Sequence, residues 1–258
     1  MTCKEISPSS VTIYSRLFSR LDERVLRFFH SPQQAFLRLK QHPSWVVPLL
    51  IVMGASIPVI LLHHAVVPRQ ARIEAQMAEL EKYRGQVFGE EERMAWVRSQ
   101  TAYENIKTIG VAAISFVIVA LVSALAFWVA FSLAGHDFRF KTVFSVFNHA
   151  LLPPSIAWSF LTSLVLCFKD PIQIDPIRPE NVVLSNPAAF LDQATIHPFF
   201  YSLLSSLDLF SIWTLVLLSI GFSVCGTKLR LGKSALVTTC VWSIYVIGKA
   251  SIASFFSR

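Results

Sequence analysis

Two charged side chains stand where charge is expensive. Asp208 and Lys249 lie within or at the ends of long apolar runs, and an ionised group in hydrocarbon costs several kcal/mol unless it is paired or hydrated. Counted from the inner ends of their runs, Asp208 lies about seventeen residues up and Lys249 about fifteen. At about 1.5 Å per residue both sit roughly 22–26 Å from the inner edge. Consecutive antiparallel helices joined by a short loop would make them neighbours. An intramembrane polar pair is therefore expected, as a salt bridge or a water-bridged contact, against the alternative that each snorkels separately to water. Such a pair serves packing rather than catalysis.

The second polar cluster is Asn148-His149, inside another apolar run. Helical hydrogen bonding is its ordinary use; a proton or substrate path is the sharper one. Pro153-Pro154 follows and removes two backbone donors, which predicts a kink. His63 and His64 close an earlier run and are placed at headgroup level. The stretch Gly226-Thr-Lys-Leu-Arg-Leu-Gly232-Lys233-Ser234 resembles a phosphate-binding loop. However, five residues separate its glycines where the motif needs four, and no strand precedes it. Cys3, Cys167, Cys225 and Cys240 have no metal-like spacing and read as small hydrophobes. HExxH, GxSxG and GxGxxG are absent. The sequence therefore offers no catalytic residue, no cofactor-binding residue and no metal-ligand set, and predicts no cofactor.

The elements that must carry these residues are membrane helices. The chain is 53% hydrophobic and 15% charged over 258 residues, against about 25% charged in a soluble domain. Apolar runs long enough to cross about 30 Å of hydrocarbon, the fifth carrying Lys249, predict spans at about 45–67, 108–134, 143–168, 209–226 and 234–256. The fourth needs its preceding turn, from Phe199 to Asp208, or a thinner bilayer. Open backbone in lipid must be helical, so the fold class is all-α, a polytopic bundle of about five transmembrane helices. Residues 1–44 form a basic N-terminal arm, without a cleavable signal peptide, and residues 45–258 the transmembrane domain. Within the arm, Ser31-Pro32-Gln33-Gln34 reads as a helix start with a capping box. The helix it opens, with Phe36, Leu37 and Leu39 among Arg38 and Lys40, is expected in the membrane interface.

Lysine and arginine orient the bundle. Residues 1–44, 135–142 and 227–233 carry 12 Lys/Arg against four acids, and the remainder 11 against 12 acids. The first group belongs in the cytoplasm, which puts the N-terminus inside and the C-terminus outside. Of the outside segments, 69–107 reads as helices extending the first two spans, broken near Gly85 and Gly89. The proline- and acid-rich 169–198 reads as a loop with an amphipathic stretch near Ala188 to Ala194.

Several stretches carry a family resemblance. They are Phe29-His-Ser-Pro-Gln-Gln-Ala-Phe36 with Pro43-Ser-Trp45-Val-Val-Pro48, then Gly135-His-Asp-Phe-Arg-Phe-Lys141 with His149-Ala-Leu-Leu-Pro153. The most specific is Leu204-Ser-Ser-Leu-Asp-Leu-Phe-Ser-Ile-Trp213, running into Leu217-Leu-Ser-Ile-Gly221 and followed by Gly232-Lys-Ser-Ala-Leu236. Over about residues 28–250 the chain resembles the Yip1-domain family in the form found in bacteria. The resemblance implies five spans and a cytoplasmic N-terminus, and transfers no catalytic residues. Eukaryotic members are linked to Rab GTPases, vesicle traffic and membrane shaping. Their proline- and glycine-rich signatures are not evident here, so those roles are not carried over.

The expected function is that of a non-enzymatic multi-pass protein, in a bacterial cytoplasmic membrane, that organises membrane or binds membrane-protein partners. Its basic arm (Arg16, Arg20, Arg24, Arg27, Arg38, Lys40) would face anionic lipid headgroups, and no nucleic-acid partner is expected. The alternative is a transporter or permeation pathway for a small solute or ion through Asn148, His149 and the third span. A third reading, an intramembrane enzyme, lacks convergent acids, a Ser/His set or metal ligands.

Overall fold

A computed structural model gives the fold; it describes residues 27–99, 104–191 and 195–255. All regular structure among them is helical, as expected of an all-α polytopic membrane protein. In chain order the helices are α1 (Pro32–Gln41), α2 (Val46–Val66), α3 (Arg69–Arg84), α4 (Glu90–Ser99), α5 (Glu104–Leu133), α6 (Phe140–Phe168), α7 (Pro198–Ser206), α8 (Leu209–Cys225) and α9 (Leu231–Phe255). Short 3-10 turns at Pro171–Gln173, Pro179–Asn181 and Pro187–Phe190 punctuate the segment between α6 and α7. By length and apolarity α2, α5, α6 and α9 can each cross a bilayer, and α7 with α8 makes a fifth crossing if the bent pair counts as one.

The centre of the bundle is α6. It packs against α2, α5 and α8, and touches α1. Every residue from Val143 to Ala150 is buried, so this part of the helix is enclosed on all sides. Pro153 and Pro154 lie inside it without interrupting it, which neighbouring membrane helices allow. The break that does occur has no proline. It falls at Leu207-Asp208, where α7 meets α8 at 55°.

Loops alternate between two ends. One end gathers α1, the α5–α6 loop and the α8–α9 loop; the other gathers α3, α4, the α6–α7 segment and α7. An aromatic core fills the first end. Phe222 is fully buried, its ring 4.6 Å from Phe131, 5.5 Å from Phe127 and 5.9 Å from Phe138. A smaller cluster of Val59, Val67, Leu166, Ile174 and Val182 serves the second end.

Helix α1 contributes to the first core. Its Phe36 is fully buried and Leu39 nearly so, so its apolar face meets α8 rather than lipid; Leu37 is the exposed one. The capping box expected at Ser31 does not form. Residues 27–30 are already helical, the Ser31 amide donates to the Arg27 carbonyl at 2.8 Å, and no side chain caps α1. The chain thus enters α1 from a preceding helical turn and not from a fresh start.

At the second end, α3 closes at Gly85, whose φ of 68° suits a residue without Cβ. The α6–α7 segment folds back over α2. His63 Nε2 lies 2.9 Å from the Asp175 carbonyl. The Asp175 carboxylate accepts from the amides of Ile177 and Arg178 and from Asn181 Nδ2. Arg178 binds Glu79 of α3 at 2.5 Å, and Arg72, itself buried, donates to the carbonyls of His64 and Val67 at the end of α2.

Contact between α1, α6 and α8 depends on Gly221. A Cβ there would stand 2.7 Å from Val146 Cγ1 and 2.8 Å from Phe36 Cε1. Gly221→Ala should therefore lower stability by about 1–3 kcal/mol, the usual cost of overpacking. Phe36→Leu should restore part of the loss in the double variant. Thermal unfolding of the purified full chain checks both, and an unchanged midpoint for Gly221→Ala would contradict the close approach.

Candidate functional site

Several polar side chains inside the spans turn back to their own helices, while the hydroxyls of Thr162 and Thr238 are buried without a partner. On α6, Ser145 Oγ donates to the Lys141 carbonyl at 2.7 Å, Asn148 Nδ2 to the Phe144 carbonyl at 2.8 Å, and His149 Nδ1 stands 2.8 Å from the Ser145 carbonyl. A carbonyl only accepts, so Nδ1 carries the proton and Nε2 is left as the acceptor. Thr214 and Ser219 of α8 repeat the pattern. Such bonds satisfy hydroxyl and amide donors where no water reaches. Asn148 and His149 thus stand together, with the Phe28 ring 5.0 Å from the imidazole. Asn148 Oδ1 is buried without a hydrogen-bond partner.

Asp208 and Lys249 come near one another but form no direct ion pair. Asp208 is the N-cap of α8: its carboxylate accepts from the amides of Phe210 at 3.1 Å and Ser211 at 3.2 Å. It also takes a hydrogen bond from Ser185 Oγ. Lys249 Nζ donates to Ser206 Oγ at 3.4 Å, two residues before the cap. The two side chains have different partners. A helix break at Leu207-Asp208 exposes amide donors at the start of α8, and they claim the carboxylate.

Of the basic arm, Arg16, Arg20 and Arg24 lie outside the described residues. Arg27 belongs to the helical turn before α1, and Arg38 is exposed. Lys40 does something the sequence did not suggest: its Nζ donates to the carbonyls of Val224 at 3.1 Å and Gly226 at 3.4 Å. It closes the C-terminus of α8, where a cation also meets the favourable end of the helix dipole.

Three segments distant in sequence converge at this end and present an exposed basic rim: Arg38 on α1, Arg139 and Lys141 at the start of α6, and Lys228, Arg230 and Lys233 around the α8–α9 turn. Local structure holds the rim in place. Trp128 Nε1 donates to the Phe138 carbonyl at 2.8 Å and anchors the α5–α6 loop. Gly135, with φ of 78°, ends α5, its amide reaching the Ser132 carbonyl and that of His136 the Phe131 carbonyl. In the other turn Lys228 is left-handed, with φ of 56°, a conformation that costs a non-glycine residue energy. Ser234 Oγ, fully buried, donates to the Ser219 carbonyl at 2.8 Å and ties α9 to α8. That bond also disposes of the phosphate-loop likeness, because the serine that would meet a phosphate is spent inside the bundle. Sequence reasoning assigned Arg38 to a lipid-facing arm and used the loop charges only for orientation; their assembly into one rim, and the roles of Gly221, Lys40 and Ser234, appear only when the helices are packed.

A family model, the Yip1 domain, matches residues 26–252. The chain belongs to the Yip1-domain family. No curated protein and no solved structure matches it. Within this Yip1 domain the matched residues take in α1, the first spans and α9 up to residue 252, so the basic rim and the polar groups of α6 and α8 all belong to the family's domain.

The geometry gives Asp208 and Lys249 different direct partners. Removing the cap with Asp208→Ala should cost about 0.5–2 kcal/mol, because two amides of α8 and the Ser185 hydroxyl lose their acceptor. Lys249→Ala, which removes a single long contact, should stay within about 0.5 kcal/mol. Unfolding midpoints of the two variants in one detergent provide the comparison. Equal losses would mean that the two residues act as a unit.

Proposed function

We propose that this Yip1-domain protein is non-enzymatic and organises membrane or partner proteins through its basic rim, which contacts anionic lipid headgroups. The rim faces the cytoplasm in this reading, with the N-terminus inside, the C-terminus outside, and a bacterial cytoplasmic membrane as the location. The observation that carries the proposal is the convergence of Arg38, Arg139, Lys141, Lys228, Arg230 and Lys233 on one end. Asp137 is the only acid among the described residues of α1 and the two loops there. Each such residue contributes about 1 kcal/mol near an anionic surface, and the attraction fades beyond a Debye length of about 10 Å at 0.1 M salt. The segments that carry the six charges are held by a packed core, so their backbone needs no ordering on contact, which favours binding. The backbone-directed bonds of Ser145, Asn148 and His149 support a packing role for those groups over a solute path.

Phosphatidylglycerol added to the detergent-purified full chain should raise its unfolding midpoint more than phosphatidylcholine does. The difference should shrink with added NaCl and largely vanish in the Arg38→Gln, Arg139→Gln, Lys228→Gln, Arg230→Gln variant. All four side chains are exposed, so the fold should persist. Equal stabilisation by the two lipids would contradict the proposal. Truncation of the arm is informative only up to residue 26, because a deletion reaching residue 40 also removes Phe36 from the core.

A further inference from the structure

The segment beyond α6, read from sequence as an outside loop ending in an amphipathic stretch, has features that water does not explain. Its depth can be measured from the basic end. Helix α8 has 17 residues and rises about 26 Å, less than the roughly 30 Å of a hydrocarbon core. At its start, the Leu209 amide donates to the Ser185 carbonyl at 3.2 Å and Ser185 Oγ donates to Asp208. The chain at Ser185 is therefore pinned level with the beginning of α8. Lys249 agrees: it lies eighteen residues along α9 from Leu231, about 27 Å, and its ammonium meets the last residue of α7. Helix α7 packs on α9 and on the turn Pro187–Phe190. All of these elements sit at the edge of the hydrocarbon and not beyond it.

At that depth the large exposed side chains are mostly apolar, with His197 at the cap of α7 and Thr195 the exposed polar ones among the described residues. Phe190 is 74% exposed, Phe200 58%, Leu184 56% and Leu209 62%. From Leu209 the exposed stripe continues along α8 through Ile212 and Val216, without a boundary between it and the lipid-facing surface of the span. Helix α7 is inside-out for a helix in water. Its buried residues are Ser202 and Ser206, whose close approach suits packing between membrane helices, while Phe200 points away. Between Asn181 and Thr227 the sequence holds only two charged residues, Asp192 and Asp208, and Asp208 is committed to its cap. A solvated loop is normally rich in polar groups.

We infer that the turn Pro187–Phe190, α7 and the start of α8 form an in-plane wedge embedded among the lipids of the leaflet opposite the basic rim. The occupant of its exposed face is lipid, at the level of the glycerol groups and upper acyl chains, where aromatic side chains gather. Helix α7 leaves the line of α8 by 55° because the fifth crossing is completed within the interface and not through it. This wedge stands independently of the basic rim: its location tests neither anionic-lipid binding nor orientation.

Spin labels on Leu184→Cys and Phe190→Cys test the wedge, in a full chain whose own cysteines are replaced by alanine, with one copy per phosphatidylcholine nanodisc. Collision rates with oxygen and with a water-soluble nickel chelate are compared with labels at Glu91→Cys, exposed on α4, and Ile118→Cys, exposed in mid-span on α5. The expected result is a severalfold rise in the oxygen-to-nickel ratio over Glu91, closer to the Ile118 value. A ratio closer to Glu91 would overturn the inference, as would shielding from both reagents, which would indicate contact with protein. If the cysteine-free chain does not fold, a benzophenone amino acid placed at Phe190 in the otherwise unaltered chain gives the second readout. Crosslinks to phosphatidylcholine support the wedge; crosslinks to another chain, or none to lipid, overturn it.

Discussion

Hydrocarbon offers no hydrogen-bond partner, and the molecule is organised around answering its own polar groups. Within helices the backbone does this automatically. The difficult atoms are at helix ends and on polar side chains, and here they find each other. Asp208 serves the amides opening α8, while Lys40 serves the carbonyls closing it. Arg72 serves those closing α2. Ser145, Asn148, His149, Thr214 and Ser219 return their protons to the preceding turn. Side chains that sequence alone marks as chemical are largely structural for this reason: most of their donors are spent on backbone carbonyls, although Asn148 Oδ1 and the hydroxyls of Thr162 and Thr238 stay buried without a partner.

The same constraint shapes the two ends differently. At the end bearing α1, aromatic packing is dense and the loops are short, so charges from three segments are held in fixed relation. At the other end the α6–α7 segment folds onto α2 and α3 through His63, Asp175, Arg178 and Glu79, and α7 lies aslant. A charged rim on one side and the inferred in-plane wedge on the other would make an asymmetric membrane body, which fits the proposed organising role better than a channel does.

Fold class was legible in the sequence because its signal is additive. Twenty apolar residues in a row state a helix whatever surrounds them, and the break at Gly85 showed itself by residue type. What was hidden depends on single contacts between distant residues. Phe36 looked like a lipid-facing residue because an amphipathic helix shows the same pattern whether its apolar side meets lipid or protein; only Gly221, a missing Cβ 185 positions away, reveals the pocket. Counting residues put Asp208 and Lys249 at one level, but no count predicts that α8 would restart at Asp208 and take its carboxylate. Pro153-Pro154 drew attention as a breaker, whereas the marked bend sits at Leu207-Asp208.

The central claim is that five crossings place α1 and both basic turns on one side, in the cytoplasm. Reporter fusions after residues 40, 138 and 230 measure this most directly, with a fourth after residue 86 as the opposite-face reference. The account predicts cytosolic readings for the first three and an external one for the fourth. An external reading at any of the first three, or a cytosolic one at 86, would contradict it.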